Sequence, residues 1–233
     1  MTERRRSAVA RSPGALRIGA SSAAWTDAGL TLDIDERGAP LPRRIRGRVH
    51  VHFEGVNARA FALDEARRHR WRPIAPSARV EVALDEPDML WTGKGYCDHN
   101  CGDEPLERAF ARWTWSRAAT SSGATILYEA ERTQGGPLTM ALRFDRAGAC
   151  VEGAAPPPAA LPATRWRLAR ASRADDGRAT LVRSFEDAPF YARALIRHRL
   201  FGETVESVHE ALSLRRFAMP AVRLMLPFRM PRL

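Results

Sequence analysis

Asp98 follows Tyr96 by two residues in the run Trp91-Thr92-Gly93-Lys94-Gly95-Tyr96-Cys97-Asp98-His99-Asn100. On an extended strand such positions share a face, so the carboxyl and the phenol point the same way. If that face turns inward and is lined by rings, the carboxyl loses water, which disfavours its charged form and equips it to donate a proton. Rings are at hand. Four of the six tryptophans, Trp71, Trp91, Trp113 and Trp115, fall within one stretch of the chain. Aromatics on strands fill β cores routinely, and core packing explains any one of these rings by itself. It does not explain an acidic, glycine-flanked segment directly after Trp91. A plainer role for Asp98 also stays open: a loop carboxylate satisfied by backbone amides near Asn100 and Gly102.

Other chemistries fit less well. Cys97, His99 and Cys101, with Cys150, suggest zinc, but alternate-residue spacing and a single nearby histidine do not match the usual ligand pairs, so no metal is expected. A serine hydrolase is disfavoured because no G-x-S-x-G occurs. The chain carries 37 Lys+Arg against 27 Asp+Glu, a formal net charge of +10, and Lys94 is its one lysine. The arginines are spread along the chain among apolar residues and form no single block, so no nucleic-acid partner is expected. Weak attraction to anionic lipid head groups, about 1 kcal/mol for each arginine near such a surface, is expected instead. Three cysteines without an apolar leader argue against a disulfide framework. No window holds the roughly 18 apolar residues of a membrane span. The expected location is cytoplasmic, peripheral to the inner or photosynthetic membrane.

The elements that must position these residues read as strands. Leu30, Leu32 and Ile34 alternate with polar residues, as do Val49, Val51 and Phe53 after the turn-rich Arg37-Gly38-Ala39-Pro40. Val80–Leu84 and Met89–Tyr96 flank the turn Asp85-Glu86-Pro87-Asp88. Period-two runs continue at Phe110–Arg117, Thr125–Glu131 and Leu138–Phe144, break at the Pro-rich Ala154–Pro162, and resume at Arg165–Arg170, Ala179–Phe185, Tyr191–Leu200 and Val205–Leu214. Phe201-Gly202-Glu203 is the turn between the last two. Only Leu63–Arg70 and Ala221–Leu226 have a helical pattern. The expectation is an all-β, antiparallel lipocalin-like barrel or sandwich with few short helices. Its parts are a basic, poorly ordered lead over 1–20, a β-rich region carrying the site over 21–153, and a β-rich portion over 154–233 that completes the domain.

Several ordered motifs together resemble one family. They are Trp71-Arg72-Pro73-Ile74-Ala75-Pro76 with Ala78-Arg79-Val80-Glu81-Val82, then Trp91 to Asn100 with Gly102-Asp103-Glu104-Pro105-Leu106-Glu107, and Trp113-Thr114-Trp115-Ser116-Arg117. The tail agrees through Phe185–Arg193, Val208-His209-Glu210-Ala211-Leu212-Ser213-Leu214 and Leu226–Arg232. These are similar to the bacterial carotenoid 1,2-hydratases, the hydroxyneurosporene synthase group. The resemblance implies a hydro-lyase acting on acyclic carotenoids without cofactor or metal, built as tandem lipocalin-like barrels. It also implies that this chain lines up with the C-terminal part of longer proteins, so that its fold is incomplete beside theirs. Asp98 would be the acid, Trp71 and Tyr96 would be catalytic aromatics whose π faces stabilise a cation, and Trp91, Trp113 and Trp115 would line the substrate. A non-catalytic isoprenoid carrier of the same fold is the rival reading. It needs no acid at Asp98.

Overall fold

The computed structural model describes residues 2–27, 29–38, 41–225 and 230–232. Ala39-Pro40 of the first expected turn, and Leu226–Arg229 of the tail motif, lie outside the described residues. In chain order the strands are β1 (Thr2–Arg4), β2 (Val9–Arg11), β3 (Ala15–Ile18), β4 (Ser21–Thr26), β5 (Gly29–Arg37), β6 (Arg44–Phe53), β7 (Phe61–Ala62), β8 (His69–Glu86) and β9 (Met89–Gly102). They continue with β10 (Phe110–Thr120), β11 (Gly123–Arg132), β12 (Leu138–Asp145), β13 (Cys150–Gly153), β14 (Pro158–Ala160), β15 (Ala171–Arg173), β16 (Ala179–Asp187), β17 (Tyr191–Leu200), β18 (Glu203–Ser213) and β19 (Met230–Arg232). Short helices α1 (Leu106–Ala109), α2 (Leu214–Phe217) and α3 (Pro220–Met225) complete the set.

Two units emerge, and they interleave along the chain. One holds residues 1–54, 77–96 and 226–233, the other 55–76 and 97–225. The first is an antiparallel meander, β2-β3-β4-β5-β6, whose last strand pairs with β8 from Phe53↔Ala78 to Arg46↔Glu86. Strands β2 and β3 thus occupy the segment expected to lead in without regular structure. In the same unit β1 pairs in parallel with β19.

The second unit is built on a seven-stranded antiparallel sheet ordered β13-β12-β11-β10-β18-β17-β16. Its strands form because apolar and polar residues alternate with period two. In β17, Ala192, Ala194, Ile196, His198 and Leu200 are buried while the residues between them are not. That face packs against residues 155–173, through clusters such as Leu127, Leu200 and Val205 with Ala155, and Ile196 with Leu161. The opposite face of β11 and β12 is also buried, with Ile126, Tyr128, Leu142 and Phe144 each at most 5% exposed. Here the N-terminal half of β8 and the loop before it lie over the sheet. Gly123 opens β11 at φ +150, where a Cβ would meet the carbonyl oxygen of Phe144 at 2.3 Å, so the chain enters the sheet through a residue without one.

Two expected elements differ. Leu63–Arg70 is not helical: the Asp64 carboxylate accepts the amides of Arg68 and His69, which turns the chain into β8. Arg165–Arg170 is not a strand. Thr164 Oγ1 accepts the Leu168 amide, and Arg167 sits at φ 55, so this stretch is a tight turn beside β17. The helix expected at Ala221–Leu226 is present as α3, as far as it is described. No described pairing joins β13 to β16, so the sheet is open by its hydrogen bonds.

Candidate active site

Trp71 and Asp98 meet in the second unit. Trp71, third residue of β8, is 1% exposed, and its ring packs 5.5 Å from Phe61 and 5.2 Å from Tyr128, centroid to centroid. Phe61 reaches it because β7 pairs with β8 in the register Phe61↔Trp71. From this slot Nε1 donates to Asp98 Oδ2 at 2.8 Å, and Asn100 Nδ2 donates to the same oxygen at 3.3 Å. Asp98 and Asn100 are two apart on β9 and share its face.

One residue pins the start of β8. His69 shares the face of Trp71 and is 1% exposed. Its Nδ1 meets Asp64 Oδ2 at 2.6 Å and its Nε2 meets the Glu104 carbonyl at 3.0 Å. Both partners are hydrogen-bond acceptors. Burial pushes the Asp64 carboxyl up, but hydrogen bonds from the His69 ring and the Arg68 amide, and the histidine's charge, outweigh it and hold the group below its ordinary value. Gly102 lies against this ring, where a Cβ would come within 2.6 Å of Cδ2. Sequence reasoning passed over His69 because nothing local marks it.

Tyr128 was also missed. It stands on β11 opposite Trp115 of β10, its ring 5.2 Å from Trp71 and 6.4 Å from Trp113. Burial first, then the charges of Asp98 and Glu210, hold its phenol far above the ordinary value, so it stays protonated. As one of only three tyrosines it could have been singled out. Its ordinary place in an alternating strand concealed it.

The expected site residues fare differently. Asp98 was expected buried on an inward face; its side chain is exposed instead, with one oxygen tucked against the Trp71 indole. The reason is that, among the described residues, β9 pairs with β8 alone, so this end of the strand lies at a sheet edge. Trp71 was expected to offer a π face; its ring is enclosed, and its N–H donates to the Asp98 carboxyl. Trp113 and Trp115 are half-buried on the sheet face that carries Tyr128. Tyr96 is half-buried on β9, two positions before Asp98. Trp91 belongs to the other unit, 46% exposed beside Leu90, and its ring lies over Gly93. His99 is exposed, and among the described residues no group of three or more His, Cys, Asp or Glu could hold a metal ion.

These features define a mostly antiparallel, lipocalin-like β protein with a carboxyl group set at the edge of a buried aromatic cluster. A crystal structure assigned to AttH, from Nitrosomonas europaea, shares the fold with a TM-score of 0.55 and 10% identity, over 90% of this chain and 72% of that one. Residues 1–233 match the model of the family described as carotenoid hydratase CrtC, and the chain belongs to that family. It is 52% identical to the acyclic carotenoid 1,2-hydratase of Thiocapsa roseopersicina and 44% identical to that of Rubrivivax gelatinosus, over the whole chain but 58% of each relative. The enzyme of the same name from Cereibacter sphaeroides is 38% identical, with 84% of its length covered.

Proposed function

We propose that the chain carries the acid site of an acyclic carotenoid 1,2-hydratase, a hydro-lyase acting on the ψ-end of a neurosporene- or lycopene-type polyene. The observation that carries this reading is the Trp71–Asp98 hydrogen bond at the edge of the aromatic cluster. An unactivated alkene is hydrated by proton delivery to carbon before water attacks. Asp98 is the group that supplies this proton. Its transfer to C2 leaves a tertiary cation at C1, which water captures to give the alcohol. The rings of Trp113 and Trp115 are suited to stabilise that cation, by about 1 kcal/mol each at half-buried positions. None of these steps calls for a metal or an organic cofactor.

Incubating the chain with neurosporene or lycopene tests the reading. A 1-hydroxy product is expected, whereas recovery of unchanged pigment would support the carrier. Within the site, Trp71→Phe keeps a ring in the slot but deletes the donor to Asp98. Loss of such a bond is worth about 1.5–3 kcal/mol, so hydration is expected to fall about tenfold or more, while the smaller ring in a buried slot lowers the melting temperature by a few degrees. Hydration at the parent rate would remove the indole from the account.

Substrate of this kind resides in lipid, and we read the exposed tip Met89-Leu90-Trp91 as the part that touches it. Leu90 is 84% exposed, and an aromatic beside it suits a membrane interface. No helix among the described residues is long and apolar enough to cross a membrane. Leu90→Glu is expected to weaken co-sedimentation with phosphatidylglycerol vesicles several-fold; unchanged binding would move the contact elsewhere.

A further inference from the structure

The sheet register places Tyr128 opposite Trp115, Trp115 opposite Glu210 on β18, and Glu210 opposite Arg193 on β17, all on one face. Glu210 therefore stands two strand spacings, about 10 Å at the backbone, from Tyr128. A cross-strand ion pair is the ordinary reading of such a residue. The same hairpin supplies a comparison. Arg197 and Glu206 pair on this face with side chains 57% and 42% exposed, as a solvated pair does. Glu210 is only 21% exposed, and Arg193 grips a single oxygen, Oε1, through Nε at 2.9 Å and Nη2 at 2.7 Å. The Tyr191 hydroxyl bonds to the same carboxylate, and burial with that charge pushes the phenol well up. Glu210 and Asp98 also both act on the Tyr128 phenol, one from β18 and one from β9.

We propose that Glu210 is the base that takes a proton from the attacking water, across the aromatic face from Asp98. This rests on Asp98 being the acid. The Asp98 O–H bond breaks as the C1=C2 π pair forms the C2–H bond. A water lone pair then forms C1–O while one water O–H gives its proton to Glu210. The product is the tertiary alcohol; Asp98 is left as carboxylate and Glu210 as acid, and exchange with solvent restores both.

Separating the two half-reactions tests this. In D2O, Glu210→Gln is expected to hydrate about 100-fold more slowly, yet to return unhydrated carotenoid carrying deuterium at C2, because the cation loses a proton back to Asp98 when water is not captured. Asp98→Asn is expected to lose exchange and hydration together. Glu210→Asp, which keeps a shorter base, should recover part of the hydration, and it carries the test should the glutamine variant fail to fold. Hydration by Glu210→Gln within about threefold of the parent, or equal loss of exchange and hydration, would overturn the base assignment. An Asp98→Asn variant that still hydrates would overturn the underlying acid instead.

Discussion

Asp98→Asn is expected to abolish measurable hydration, by about a thousandfold, in a protein that melts where the parent does. General acid catalysis contributes roughly 10²–10⁴, and the amide cannot give a proton to carbon. The substitution is close to isosteric, and its amide oxygen can still accept from Trp71 Nε1. The side chain is exposed, so packing hardly changes. Folding and function should therefore separate cleanly. Comparing rate and melting curve of the same preparation checks it. A fully active variant would remove Asp98 from the acid role.

Acidification should destabilise the second unit through His209. Burial, with Arg170 and His198 close by, depresses this imidazole from 6.5 to about 3, and its Nδ1 meets Ser116 Oγ at 2.8 Å. The unfolded chain binds a proton at this residue as pH falls through 6.5, while the native chain does not until pH is near 3. Stability is thus full above pH 6.5 and is lost progressively as pH falls toward 3, by roughly 5 kcal/mol over the window. His198, whose pKa is lowered by burial, pushes in the same direction. The melting temperature is expected to drop steeply between pH 6.5 and 4, and His209→Gln should flatten that slope. Identical slopes in parent and variant would show that another group controls acid unfolding.

Much of the second unit could be read from the sequence because its strands are long and alternate strictly, as in Tyr191–Leu200. The turn at Phe201-Gly202 followed from local chemistry alone. Where side chains compete with the backbone, the reading failed. Asp64 captures two amides and a ring, so a segment with helical residues becomes a turn, and that partnership is invisible in a pattern of apolar positions. The site was legible in part for the same reason. Tyr96, Asp98 and Asn100 are local to one strand, so their shared face follows from period two. Trp71 stands 27 positions before Asp98, and only the β8–β9 pairing brings its N–H to the carboxyl. Tyr128 and Glu210 join them through two further strand registers, beyond what spacing can reveal. Exposure of Asp98 was missed because edge position is a property of the finished sheet.

In the proposed reaction the Asp98 carboxyl addresses C2 of a polyene end lying against the aromatic face. A crystal structure of the chain with a 1,2-dihydro carotenoid analogue bound tests it most directly. The C2 carbon is expected within about 3.5 Å of an Asp98 carboxyl oxygen, with Trp113 or Trp115 against the terminal methyl groups. An analogue bound elsewhere, with solvent between its end and this carboxyl, would contradict it.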